Sequence, residues 1–355
     1  MKIAYIVPSL IKSGPIKVVH QIISGLQKNH EIDVFYFKVP DREKLLFDVP
    51  THKIDFTHAI DFDAYDVIHS HTILADAYVW YHRKKIGRAK TVTTIHNYAK
   101  EDLIFSYGRI KGNAMVWLWN MTTSKHNKVV VLSRDAEAYY RKFWKNKNIS
   151  YVYNGIEAVE NLPFKVATSK SDRSVIKIGA IASAGGVNFR KGLDQMIRAL
   201  PKLPHHQLYI AGKETAEAEK LKMLAQKIGV EDRIVFMGFV SDIETFIGEM
   251  DLFVVASRSE GFPLSLQEIV KYQKPAVCSN IAIFQEVFDE EEVTFFELEN
   301  IDSLVGAIET ATKDSSEKTE KAFEKFRLNY TTEQMARNYL EVYEMILKES
   351  DSGQD

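Results

Sequence analysis

Short apolar runs alternate along this chain with segments whose apolar residues recur every three to four positions, and the alternation begins at the first residues. Residues 2–7 read as a buried strand, 16–26 as an amphipathic helix and 32–37 as a second strand. Strand-like runs follow at 67–70, 91–96, 129–133 and 151–153, with helix-like segments at 73–85, 114–122 and 134–144 between them. Strands that alternate with helices imply a parallel sheet covered on both faces.

Residues 161–174 break this pattern: Pro163 and the polar run Thr168-Ser169-Lys170-Ser171-Asp172 have the composition of a linker. Alternation then restarts, with strands expected at 175–181, 207–211, 233–237, 252–256, 276–279 and 293–297 and helices at 192–200, 214–228, 242–250, 264–273 and 302–312. The expected organisation is therefore α/β, with one doubly wound, Rossmann-like domain over residues 1–162 and a second over 163–331. A last helix at 332–348 carries Met335, Tyr339, Val342, Tyr343 and Ile346 at helical spacing and must pack somewhere; the first domain is one place for it. Open α/β sheets bind ligands beyond the carboxyl ends of their strands, so two such sheets facing a central crevice direct attention to residues just after strands.

The length of 355 residues suits two cores of roughly 150 to 200 residues each. A hydrophobic content of 45% with 26% charged residues excludes a disordered chain. The single cysteine, Cys278, allows no intrachain disulfide and reads as a small core residue in a reducing compartment. Pro8, Lys12 and Lys17 interrupt the first apolar run, unlike a secretory signal, and no stretch approaches the roughly 20 apolar residues of a membrane span. A cytoplasmic, soluble protein is expected, with no nucleic-acid partner. The net charge of -2 hides an asymmetry: residues 1–162 hold 23 Lys and Arg against 16 Asp and Glu, and residues 163–355 hold 23 against 32. The densest basic cluster, Arg83-Lys84-Lys85 with Arg88 and Lys90, suits either a peripheral contact with an anionic membrane face or phosphorylated acceptor, or a solvated helix end.

The candidate chemistry gathers where the strand 252–256 runs into Ser257-Arg258-Ser259-Glu260-Gly261-Phe262-Pro263-Leu264. Pro263 suits a first helical position, which would leave Glu260 in the preceding loop and aim the amides of about residues 262–265 at a bound anion. Glu268 then lies roughly 7 to 8 Å along the helix axis, far enough to touch another part of one extended ligand. Spacing alone equally allows Glu260 to be a helix cap and Glu268 a surface residue.

Glu260-Gly261-Phe262-Pro263-Leu264 with Glu268 resembles the E-x7-E signature of the family-4 retaining glycosyltransferases, and the resemblance extends along nearly the whole chain. It implies the two-domain GT-B architecture, a nucleoside diphosphate sugar as co-substrate without a further cofactor, and a glycan or lipid-linked saccharide as acceptor. Carried over, Glu260 holds the donor sugar and Glu268 the ribose, with Gly261, Phe262 and Val240 completing the sugar and nucleotide contacts and Pro263 and Leu264 near the diphosphate. Lys191-Gly192 matches the family's basic element before a helix glycine. The usual arginine after the strand glycine is missing, because Gly179 is followed by Ala180 and Ser183-Ala184-Gly185-Gly186-Val187 lengthens the loop; Arg190 is the candidate substitute. Ser13-Gly14-Pro15 resembles the Gly-rich loop near the phosphates, with Pro15 in place of a second glycine and Gly14 still able to take a special backbone conformation. Thr94-Ile95-His96-Asn97 resembles the strand end whose histidine lies near sugar and acceptor, which makes His96 the second catalytic candidate beside Glu260; a lone histidine at a strand end is otherwise structural. Tyr153-Asn154-Gly155-Ile156 resembles the turn leading between the domains, or is simply an Asn-Gly turn, and Trp117, Trp119 and Met121 are expected in the core, the alternative being a membrane-facing or acceptor-facing cluster.

The reaction that follows from the resemblance is hexosyl transfer with retention, from a UDP-sugar, in bacterial surface polysaccharide synthesis. Cationic side chains would stabilise the departing diphosphate, and no metal is expected because no Asp-x-Asp pair lies near the site. A sugar-nucleotide epimerase on the same fold and a non-catalytic sugar-nucleotide-binding protein are the competing readings. A dinucleotide oxidoreductase is set aside, since no G-x-G-x-x-G opens either domain.

Overall fold

A computed structural model of the chain describes residues 1–39, 44–159, 175–182, 189–313 and 316–351. The linker expected at 161–174 and the Gly185-Gly186 pair lie outside the described residues. The chain divides into two compact units, residues 1–157 with the segment from Thr331 onward, and residues 158–330.

In the first unit seven strands form one parallel sheet: β1 (Lys2–Ser9), β2 (Glu31–Lys38), β3 (Thr51–Lys53), β4 (Val67–His71), β5 (Lys90–Thr94), β6 (Lys128–Val131) and β7 (Ile149–Tyr151), in the order β3-β2-β1-β4-β5-β6-β7. Ile3 to Val7 of β1 are all buried, as expected of a central strand with helices on both faces. The order reverses between β1 and β4, which pair through Ile3 and Val67. In the second unit β8 (Ile176–Ile181), β9 (His206–Ala211), β10 (Ile234–Gly238), β11 (Leu252–Val255), β12 (Ala276–Ser279) and β13 (Thr294–Phe296) form a parallel sheet in the order β10-β9-β8-β11-β12-β13. Its reversal falls between β8 and β11. Cys278 is buried in β12, and burial pushes its thiol up.

Among the described residues, one strand and three α-helices were invisible to the hydrophobic pattern. Strand β3 is three exposed residues, Thr-His-Lys. The helices Ala99–Tyr107 and Ser316–Asn329 bury only Ala99 in the first case and Thr319, Ala322 and Phe326 in the second, too few to print a period. The helix Ala282–Val287 is six residues long, under two turns. The expected strand 151–153 sits two residues earlier, as β7. Trp117, Trp119 and Met121, expected together in the core, are separated by helix geometry: on the helix Arg109–Thr123, Trp119 is 6% exposed and Trp117 is 61% exposed.

The closing helix Thr332–Asp351 belongs to the first unit and buries Met335, Tyr339, Tyr343 and Ile346. Each such side chain contributes about 1.5–3 kcal/mol of transfer free energy. It lies along the helix Gly14–Leu26, where a Cβ on Gly25 would stand 2.4 Å from Ala336 Cβ, so the glycine permits the close approach. Its tyrosines reach the sheet through polar tips: the Tyr343 hydroxyl is 2.8 Å from that of Tyr5, and the Tyr339 hydroxyl 3.1 Å from Thr94 Oγ1.

No turn forms at Asn154-Gly155; these residues lead into a parallel bridge between Ile156 and Thr331, where the chain leaves this unit and returns to it. The Thr332 amide donates to the Ile156 carbonyl at 3.0 Å and the Gly155 amide to Met335 Sδ at 3.2 Å. A Cβ at Gly155 would fall 2.1 Å from the Thr331 carbonyl oxygen, a backbone atom that cannot swing aside. Gly155→Ala is therefore expected to destabilise the first unit by about 1–3 kcal/mol, as overpacking does. Chemical denaturation checks this, and an unchanged midpoint contradicts it.

Candidate active site

Lys191 and Glu260 occupy the two loops that flank the reversal of the second sheet. Lys191 follows β8 and Glu260 follows β11, the neighbouring strand from which the order turns back. Ligands of doubly wound sheets bind at that position. Lys191 Nζ lies 2.7 Å from Glu260 Oε1, and the side chains are 15% and 16% exposed. Ser257 Oγ donates to the same Oε1 at 2.7 Å, while the Ser257 carbonyl accepts from Ser279 Oγ at 2.6 Å. Both donors converge on Oε1, and among the described residues none reaches Oε2. One carboxylate oxygen is thus fixed by the protein and the other is left to accept hydrogen bonds.

The loops are clamped to each other. Gly192 sits at φ +64°, where a Cβ would meet the Ala256 carbonyl oxygen at 1.9 Å, so only glycine fits. Gln195 Nε2 donates to that carbonyl at 3.1 Å, and Gln195 Oε1 accepts from the Glu299 amide at 2.8 Å. Arg258 is a second strut: its amide donates to the Arg190 carbonyl at 2.7 Å, and its guanidinium grips Asp194 at 2.8 and 2.9 Å and Glu299 at 2.5 and 3.2 Å. The bond to Asp194 is the main reason its pKa is raised, with Glu299 adding to it. Arg258 is committed to two carboxylates, and the other basic side chains of this loop pair are Lys191, bonded to Glu260, and Arg190. Glu299 holds φ +67°, a strained conformation beside this clamp.

The helix start differs from expectation. The helix is Leu264–Lys271, and Pro263 is its N-cap, at φ -84° and ψ 64°, instead of its first residue. Pro263 has no amide hydrogen, and the Leu264 amide already donates to the Phe262 carbonyl at 2.9 Å. Among the described residues, the first-turn amides without a partner are those of Ser265 and Leu266. Phe262 is buried against Tyr330, and Gly261 is partly exposed. Glu268 is partly exposed on the same helix, where its charge and that of Glu244 add to burial in raising the Tyr272 phenol. Val240 lies two residues beyond β10, partly exposed at the edge of the sheet, and Glu260 has no direct bond to it or to Glu268.

In the first unit Gly14 opens the helix Gly14–Leu26. Its φ does not lie in the left-handed region open to glycine, and the space around a Cβ there is open. The reason is that Ser13, at φ -120° and ψ 166°, already makes the turn into the helix. His96 stands two residues beyond β5, and burial lowers its pKa to about 3. It belongs to a histidine group that sequence reasoning passed over. His71 Nδ1 lies 2.9 Å from His96 Nε2, and His69 bonds Tyr343 through Nδ1 at 2.7 Å and Thr94 Oγ1 through Nε2 at 2.8 Å. The signal was present in His69-Ser70-His71, two histidines on one face at the end of β4. Thr72, the next residue, has φ +74°, an outlier for a β-branched residue that costs about 1–3 kcal/mol. Beneath lies a further buried group: Asp76 accepts from Ser70 Oγ at 2.6 Å and Trp119 Nε1 at 2.6 Å, with His126 Nε2 3.9 Å away. Arg83, Lys84, Lys85 and Arg88 are exposed on and after a short turn that follows the helix Thr72–His82, and Arg83 lies over Trp80.

Comparison with known proteins agrees with this architecture. The family model for glycosyl transferases group 1 matches residues 172–327, and that for glycosyltransferase family 4 matches residues 13–160. The O-antigen biosynthesis glycosyltransferase WclY of Escherichia coli is 33% identical over 98% of this chain and 99% of its own length. Among solved structures, sucrose-phosphate synthase from Thermosynechococcus elongatus superposes with a TM-score of 0.78 at 18% identity, over 98% of this chain and 99% of that one. HepE from Anabaena, in complex with UDP and glucose, gives a TM-score of 0.78 at 15% identity over 97% and 100%.

The buried histidines make stability depend on pH. Burial holds His69 and His71 well below the ordinary value of 6.5 and His126 at about 4. As pH falls from 6.5 towards 4, the unfolded chain binds protons that the folded chain refuses, so stability falls with acidification. Asp76 acts in the opposite sense: burial raises its folded carboxyl to about 6, so its destabilising charge is relieved as pH falls from 6 towards 4. With His96, held at about 3, four histidines stand against one carboxyl and leave a net loss of up to about 1.4 kcal/mol per pH unit for each histidine in excess. The melting temperature is expected to drop between pH 7 and pH 5, and a flat or rising profile contradicts these proton positions.

Proposed function

The chain belongs to the family-4 glycosyltransferases of the GT-B fold, and on that footing we propose that it transfers a hexosyl unit from a UDP-sugar to a hydroxyl of a glycan or lipid-linked saccharide, with retention at the anomeric carbon. The pathway we propose is assembly of a bacterial surface polysaccharide; the name of the Escherichia coli relative, an O-antigen biosynthesis glycosyltransferase, supports it. UDP as the carrier is supported by the Anabaena structure of the same fold, which holds UDP and glucose. The observation that carries the reading is the Lys191–Glu260 pair at the reversal of the second sheet, with Glu260 Oε2 left for a ligand.

The chemistry follows from those positions. The bond between the anomeric carbon and the diphosphate oxygen breaks, leaving positive charge on the sugar and negative charge on the diphosphate. Lys191 and Arg190 stabilise the leaving group, aided by the amides of Ser265 and Leu266. The departing oxygen takes the proton of the acceptor hydroxyl as it attacks from the same face, so no side chain becomes covalently attached. Glu260 accepts hydrogen bonds from sugar hydroxyls through Oε2, and Glu268 accepts from the two ribose hydroxyls. His96, neutral at physiological pH, acts through a hydrogen bond and not as a shuttle for a proton. These cations do what a bound metal does elsewhere, and we propose metal-independent transfer.

Glu268→Ala is expected to weaken UDP binding by about 1.5–3 kcal/mol, the range for hydrogen bonds to a charged group. Glu260→Ala is expected to cut turnover while UDP affinity holds. Calorimetric titration with UDP and a donor-hydrolysis assay in excess EDTA separate the two. Unchanged UDP affinity in Glu268→Ala rejects the ribose assignment, and activity abolished by EDTA and restored by manganese rejects the metal-free one.

A further inference from the structure

We propose that His71 is a positioning residue for His96: its Nδ1–H donates to His96 Nε2, fixing His96 with its proton on Nδ1, so that His96 meets its ligand as a hydrogen-bond donor. This rests on the reading of His96 as a residue that touches the substrate.

The contact of 2.9 Å between His71 Nδ1 and His96 Nε2 needs one proton between two nitrogens. Burial keeps both rings neutral, reinforced at His71 by the imidazoles of His69 and His96, so each carries one N–H. Only two arrangements satisfy the contact. If His96 Nε2 donates, the proton of His71 resides on Nε2, a buried atom with no partner among the described residues. If His71 Nδ1 donates, the atom left without a partner is a bare nitrogen. A buried donor left unpaired is the rarer situation in proteins, so the second arrangement is favoured.

The surroundings offer His71 Nε2 no escape from this choice. Both nitrogens of His69 are engaged, by Tyr343 and Thr94, and Thr94 Oγ1 is also within bonding distance of Tyr339. The ring of His71 packs beside those of His69, with centroids 4.1 Å apart, and Tyr5, at 6.0 Å, and these contacts oppose a flip. The Asp76 carboxylate, the buried acid of this region, is held by Ser70 and Trp119. His71 itself ends β4 opposite Thr94 of β5, and the left-handed Thr72 that follows turns the chain sharply away, leaving the imidazole directed at His96. Backbone strain retained at this residue is what a positioning role accounts for.

The test is side-chain NMR on the full chain with 15N-labelled histidine at neutral pH, where long-range proton–nitrogen correlations show which nitrogen of each ring is protonated. His96→Asn and His71→Asn assign the signals. The expected result is a protonated Nδ1 and a bare Nε2 for both His71 and His96. His71→Asn keeps an N–H near the Nδ1 position, so His96 keeps its tautomer and transfer stays within about threefold of wild type. His71→Ala removes the donor, so His96 moves its proton to Nε2 and transfer falls roughly tenfold, the effect of one lost hydrogen bond. Thermal melts verify folding, and if His71→Ala does not fold, the wild-type and His71→Asn spectra still decide the tautomer. A wild-type His96 protonated on Nε2 overturns the proposal, as does a tautomer unmoved in folded His71→Ala. Full transfer activity in His96→Asn removes the substrate contact, and with it the positioning role, while the tautomer assignment stands separately.

Discussion

The ion pair between Lys191 and Glu260 is the contact on which the candidate site depends. At 15% and 16% exposure the two charges are largely withdrawn from water, and each would be costly alone. Removing one partner of such a pair leaves an uncompensated charge, so the two loops after β8 and β11 are held to one arrangement. Gly192 over the Ala256 carbonyl, Gln195 against the same carbonyl and Arg258 between Asp194 and Glu299 all serve that registration. The reversal of strand order between β8 and β11 creates the gap, and the clamp sets what lines it.

The first unit solves a different problem. Its polar group is built from His69, His71, His96 and the tyrosines of β1 and the closing helix, none of them charged at neutral pH. Neutral rings in a buried network specify direction through donor and acceptor roles instead of through field. The return of the chain at Thr331 is part of that network, because Tyr339 and Tyr343 supply two of its hydroxyls. This explains why a helix at the far end of the sequence is tied to β1 and β4.

Both sheets were legible in the sequence because buried parallel strands print unbroken apolar runs, as Ile3 to Val7 and Leu252 to Val255 do. The pairing of Lys191 with Glu260 was not, since 69 residues separate them and only the strand order brings them together. Glu260 and Lys191 were identifiable by family resemblance, whereas Arg258, Asp194 and Gln195 carry no motif and act only through geometry. Pro263 was misplaced by one position because its φ suits a first helical residue, while its ψ of 64° excludes it from the helix. Gly14 retains a freedom it does not use, because glycine permits a left-handed turn but does not impose one.

A double-mutant cycle on Lys191 and Glu260 tests most directly whether this pair is one functional unit. Donor hydrolysis would be measured for wild type, Lys191→Met, Glu260→Gln and the double variant, with folding verified by thermal melts. The account predicts strong non-additivity, with the second substitution costing little once the first is made and a coupling of about 1–3 kcal/mol. Effects that add to within about 0.5 kcal/mol would mean that the two side chains act independently, and would contradict it.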